Sequence, residues 1–177
     1  MRHAAFFRGI NVGKAKRIAM ADLKRVMESL GYTNVKTLLN SGNVVFDVSP
    51  RSSKDHGERI RKAIASELGV DCRVIVLSSD ELEEIVADNP LHKVADNFSR
   101  FMVAVLADPN DRKLIESLAR KRWAPEAMGL TKRAAYLWCP DGILESPVAT
   151  ALGKALRDGV TSRNWATFLK VVEAAKS

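Results

Sequence analysis

The chain has 177 residues, 46% hydrophobic and 28% charged, with a formal net charge of +7 at pH 7, which is enough apolar content to bury a core and argues against disorder. Its longest apolar run, Phe101 to Ala107, falls far short of the ~20 residues of a membrane helix. The apolar stretch before Arg8 is too short for a secretory hydrophobic region of about 7 to 15 residues, so a cytoplasmic protein with no membrane association is expected.

Cys72 and Cys139 stand far apart in apolar patterns, and His3, His56 and His92 are scattered without ligand spacing. Neither a disulfide nor a metal site is expected. The positive excess is local: through Ser78 there are 14 Lys+Arg against 7 Asp+Glu, and from Ser79 onward 14 of each. The first half is therefore either a solvated basic surface or a field that draws an anionic partner.

In chain order, Arg2 to Arg8 reads as a strand leading into the loop Gly9-Ile10-Asn11-Val12-Gly13. A helix follows, with Met20, Leu23, Val26, Met27 and Leu30 at helical spacing until Gly31. Val35 to Leu39 and Val44 to Val48 read as two strands of a hairpin across Asn40-Ser41-Gly42-Asn43, whose glycine and asparagines suit positive φ. The turn Ser49 to Ser52 opens a second helix, with Ile60, Ala63, Ile64 and Leu68 inward, and a strand from Asp71 to Leu77 ends the set. The order βαββαβ predicts a ferredoxin-like first half over residues 1–78. In that topology the end of the first strand adjoins the start of the third, so Arg8 to Gly13 should lie beside Asn40 to Asn43. On the third strand the alternation turns Val44, Phe46 and Val48 toward the helices, which leaves only Phe6 to stack a base on an open sheet face.

Residues 79–177 form the second expected half. Ser78-Ser79-Asp80 caps a helix carrying Leu82, Ile85 and Val86. Strand Phe101 to Leu106, a helix with Leu114, Ile115 and Leu118, and strands near Met128 to Thr131 and Arg133 to Cys139 give a βαββ variant without a fourth strand. Helices around Pro147 to Arg157 and Ser162 to Ala175 close the chain, the last capped by Thr161 or Ser162 with Trp165 and Phe168 on its buried stripe. Arg163 in a first turn opposes the helix dipole and asks for an anion, from Asp158 or from a ligand. The expected class is thus α+β, as two packed α/β-sandwich halves.

Gly9, Gly13 and Lys14 invite comparison with GxxxxGK[ST], but the spacing is one residue short and Ala15 stands where the magnesium-binding hydroxyl belongs. Asn11 takes the middle glycine position of GxGxxG, so a dinucleotide site also fails and no cofactor is expected. What remains is a glycine loop whose N–H groups suit an anion, with lysines and arginines supplying charge. No carboxylate pair or Ser-His-Asp set is gathered around it.

With FRGINVGKAKRIAMADLK, LLNSGNVVFDV and TSRNWATFLKV in order, the chain resembles a bacterial family known only as a domain of unknown function, marked by RGINVGG, SGNVVF and T-x-RNW. The resemblance implies two similar α+β halves and no established activity. Lys14 departs from it in place of a second glycine, and Pro147 stands after Ser146 where a lysine is common.

The candidate ligand-binding set is Arg8, Asn11, Gly13, Lys14, Asn40, Ser41, Asn43, Arg163 and Asn164. The leading expectation is a cytoplasmic protein that binds a phosphate- or carboxylate-bearing small molecule. One alternative is a hydrolase acting on a phosphate-bearing small molecule, acylphosphatase-like in layout, with Asn40 orienting a water. The other is a nucleic-acid-binding protein using the basic N-terminal half.

Overall fold

The computed structural model describes residues 1–52 and 54–176. Contacts divide it into two compact units, Met1–Leu82 with the chain from Val171 onward, and Glu83–Lys170. Among the described residues no helix is long and apolar enough to cross a membrane.

The first unit runs β1 (Arg2–Phe7), α1 (Met20–Ser29), β2 (Thr33–Leu38), β3 (Asn43–Asp47), α2 (His56–Leu68) and β4 (Val74–Ser78), then enters α3 (Ser79–Ala87). Its sheet has the order β2-β3-β1-β4 with every neighbouring pair antiparallel, the arrangement that βαββαβ connectivity implies. Ala5, Phe7, Val44, Phe46 and Val48 cluster with Leu23, Val26 and Met27 of α1 and Ile60 and Ile64 of α2, as the period-2 alternation requires.

The other face of this sheet is covered too. Ala4, Phe6, Val45 and Leu77 are fully buried, and at its edge Arg2 Nε donates to the Ala174 carbonyl at 3.1 Å. Phe6 is therefore a core residue and offers no stacking platform. Helix α2 begins later than the Ser49–Ser52 turn suggests, because Asp55 Oδ1 accepts from Glu58 N at 3.2 Å and fixes the start there. At α3 the Ser78 hydroxyl accepts from Glu81 N at 3.2 Å while Glu81 Oε2 accepts from Ser78 N at 2.9 Å, a reciprocal capping box.

The second unit takes up the rest of α3 and continues through β5 (Phe101–Leu106), a 3-10 turn (Pro109–Leu114), α4 (Glu116–Ala119), β6 (Ala127–Leu130), β7 (Ala134–Trp138), α5 (Pro147–Leu156), β8 (Val160–Asn164) and the start of α6 (Trp165–Lys176), whose residues from Val171 onward belong to the first unit. Its sheet order, β6-β7-β5-β8, is that of the first sheet. Strand β8 is the fourth strand that the sequence reading lacks. Thr161-Ser162-Arg163-Asn164 has little β propensity of its own, but it pairs along β5 from Met102↔Asn164 to Leu106↔Val160, and that pairing decides its state. Helix α6 accordingly starts at Trp165, and its cap is Asn164, whose Oδ1 accepts from Thr167 N at 2.8 Å. Cys72 and Cys139 are free and buried, and burial raises both thiols above their ordinary pKa.

Candidate functional site

Strand β1 delivers the chain into a loop of residues 8–19 that Asn11 organises. Asn11 has φ 57°, a left-handed conformation that asparagine tolerates better than most residues. Its Oδ1 accepts from Ile18 N at 2.8 Å, and its Nδ2 donates to the Ile18 and Asn40 carbonyls, both at 2.9 Å. Its backbone N–H donates to Lys16 O at 3.0 Å. One side chain thus closes the loop on itself and ties it to the β2–β3 turn.

The turn is drawn in from a second direction. Phe7 N donates to Gly42 O at 2.9 Å. A Cβ on Gly42, which has φ +79°, would lie 2.8 Å from Ile10 Cγ1 and 2.9 Å from Phe7 Cβ, so only glycine lets the two loops meet at this distance. Arg8 to Gly13 and Asn40 to Asn43 therefore share one edge of the sheet.

The expected residues play unequal parts there. Gly13, Lys14, Asn40 and Ser41 are exposed, and Arg8 is half-buried. Asn43 is fully buried, its amide donating to Leu38 O at 3.1 Å and Ser41 Oγ at 3.0 Å; it builds the turn and presents nothing outward. Both amide hydrogens of Asn11 are likewise engaged. Among the described residues, none of the backbone N–H groups of Val12, Gly13, Lys14 and Ala15 donates a hydrogen bond.

Arg73 is the residue that sequence reasoning missed. Arg8 N donates to Arg73 O at 2.9 Å, which places the end of the β3-opposed strand β1 beside the start of β4. The signal was available, because β4 runs antiparallel to β1 in this topology. Close by, Arg61 grips Asp71 with two hydrogen bonds of 2.6 and 3.0 Å. Those bonds, with weaker help from Lys16 and Arg73, hold the Asp71 carboxyl below its ordinary pKa.

Arg163 and Asn164 belong to the second unit. Arg163 sits in β8 rather than in a helical first turn, so the dipole argument for an anion does not apply. Its Nη1 donates to Thr161 Oγ1 at 3.0 Å and Ser162 O at 2.8 Å, and loss of solvent pulls its pKa down to about 10. Asn164 is occupied as the cap of α6. Among the described residues no three His, Cys, Asp or Glu side chains gather to hold a metal ion.

A family model described as "Protein of unknown function (DUF1697)" matches residues 1–136, which includes both loops of this edge. The chain belongs to this family. A solved structure of a conserved bacterial protein from Streptococcus pneumoniae is similar to this DUF1697 chain at 22% identity, covering 97% of each chain with a TM-score of 0.80; at that identity the likeness is one of fold. No curated protein matches the chain.

Proposed function

We propose that the protein binds a small anion, a phosphate- or carboxylate-bearing molecule, at the loop edge of its first unit. The observation that carries this reading is the run of four N–H groups, Val12 to Ala15, without a hydrogen-bond partner among the described residues, on a loop pinned by Asn11. Turns with repeated positive φ, here at Asn11, Gly13 and Lys16, tend to direct successive N–H groups into one concavity that suits an oxyanion. Arg8, Lys14, Lys16, Arg17 and Arg73 supply charge around it.

The same edge would serve a hydrolase with Asn40 orienting a water. Asp71, the carboxylate on which Lys16 acts, is engaged by Arg61, so binding stands ahead of turnover.

The test is a thermal-shift screen of inorganic phosphate, acyl phosphates, carboxylates, nucleotides and short DNA and RNA at low and moderate salt, on the wild type and on Lys16→Ala and Arg73→Ala. One small-anion class should raise Tm, and each substitution should at least halve that shift; Lys16→Ala, at an exposed position, should also leave the unliganded Tm within about 2 °C, as a surface change does. A shift from polynucleotides alone that vanishes with salt would replace this reading with nucleic-acid binding. The absence of any shift would sink both.

A further inference from the structure

The opposite end of the first sheet carries a basic cavity, independent of the loop edge. Arg2, Asp47 and Thr33 pair at this end, whereas Phe6, Asn43 and Leu38 pair at the other, so the two edges are separated by the strand length, roughly 15–20 Å. Between the α1–β2 connection and the β3–α2 turn lies a cavity of about 510 Å³ lined by Leu30, Gly31, Tyr32, Ser49, Arg51, Ser52 and Arg59. Among the described residues, two arginines and two serines line it, and no carboxylate does.

Arg59 is held for a purpose other than an ion pair. Its Nη2 donates to Leu30 O at 2.7 Å, and its guanidinium carbon lies 5.5 Å from the centre of the Tyr32 ring, a cation–π contact that fixes the plane of the fork. Tyr32 is itself buried and hydrogen-bonded to His56 Nδ1 at 2.9 Å, so the platform under Arg59 is rigid. Among the described residues no carboxylate lies within ion-pair distance of Arg51 or Arg59. The acids closest in sequence are engaged elsewhere: Glu58 faces Arg61 and Lys62 at 3.9 and 4.0 Å, and Asp55 caps α2.

The carbonyl end of α1, which would otherwise repel an anion, is also quenched. Leu30 N, Gly31 N and Tyr32 N donate to Val26, Glu28 and Met27 carbonyls, and Arg59 covers Leu30 O. Two cations without a counter-charge, one of them immobilised, face one cavity of a size that ordinarily takes a small organic molecule. We propose that this cavity, between Arg51 and Arg59, is a second binding site for the phosphate group of a small phosphorylated molecule, with the Ser49 and Ser52 hydroxyls as further donors. Its specificity comes from the planar fork of Arg59, which matches two phosphate oxygens at once in a way that a lysine cannot.

The experiment is an NMR titration of the full chain with inorganic pyrophosphate and with ribose 5-phosphate at moderate salt. The backbone signals of Gly31, Arg51, Ser52 and Arg59 should shift saturably. Arg51→Ala, at an exposed position away from the core, should weaken that binding by roughly tenfold or more, the loss expected for one charge-assisted bond. Arg59→Lys should weaken it as well while keeping the charge, and Arg8→Ala at the far edge should leave it unchanged. Still signals at those four residues, or equal affinity in the wild type and Arg51→Ala, would overturn the proposal. Loss of the shifts in Arg8→Ala would overturn it too, by assigning the probe to the loop edge alone.

Discussion

Replacing Asn11 by alanine tests the idea that one side chain assembles the loop edge. The substitution removes three hydrogen bonds of 2.8, 2.9 and 2.9 Å and leaves both backbone groups of Ile18, a buried residue, without these partners. At about 1 kcal/mol net per bond, discounted for the water-accessible Asn40 carbonyl, the loss is ~2–3 kcal/mol. Alanine at φ 57° adds up to ~1 kcal/mol that asparagine largely avoids. The expected total is about 2–4 kcal/mol, or roughly 5–15 °C in Tm for a chain of this length. Asn11→Gly keeps the backbone conformation accessible and should recover up to ~1 kcal/mol relative to alanine, which separates the bonds from the strain. All three tryptophans lie in the second unit, so fluorescence is the wrong probe. Urea unfolding followed by hydrogen exchange of first-unit amides reports on the affected part. Rapid exchange of the Ile18 N–H in the wild-type protein, or a cost below ~1 kcal/mol for Asn11→Ala, would refute the reasoning.

Further outcomes follow from particular contacts. Gly42→Ala should destabilise the first unit by about 2–4 kcal/mol in denaturant titration, from positive φ together with overpacking against Ile10 and Phe7; a cost near zero would mean that the two loops do not meet as described. His56 is pushed below its ordinary pKa by burial first, then by His3 and Arg59, with Asp55 opposing, so the folded state takes up its proton later than the unfolded chain does. Its contribution to stability is complete above the unfolded value of about 6.5 and is lost as pH falls from there toward the folded pKa. The His56 ring signals should therefore titrate with a midpoint below 6.5, and a midpoint at or above it would contradict the burial. Asn164→Ala should cost ~1 kcal/mol in thermal unfolding through the lost cap of α6, whereas a helix capped at Thr161 or Ser162 would hardly register the change.

Much of the fold is legible in short-range pattern. The period-2 runs of β1 and β3, the helical spacing of α1 and α2, and the Ser78–Glu81 box are local signals that tertiary packing reinforces. From them the βαββαβ order follows, and with it the meeting of the Arg8 and Asn40 loops. Strand β8 was not legible, since Thr-Ser-Arg-Asn becomes extended only because the edge of β5 is there to pair with it. Burial of Phe6 was hidden for a similar reason: alternation tells which residues share a face but not whether something covers it.

The candidate edge divides along the same line. Sequence alone determined that a glycine loop rich in donors and cations leaves the first strand, because turn chemistry and charge are properties of neighbouring residues. Only the tertiary structure decided that Asn11 and Asn43 spend their amides on the scaffold and that Arg73 comes to Arg8. It also decided that Arg51 and Arg59 face a common cavity at the opposite edge. Hydrogen-bond partners and counter-charges are assigned by distance in space, which residue spacing does not measure.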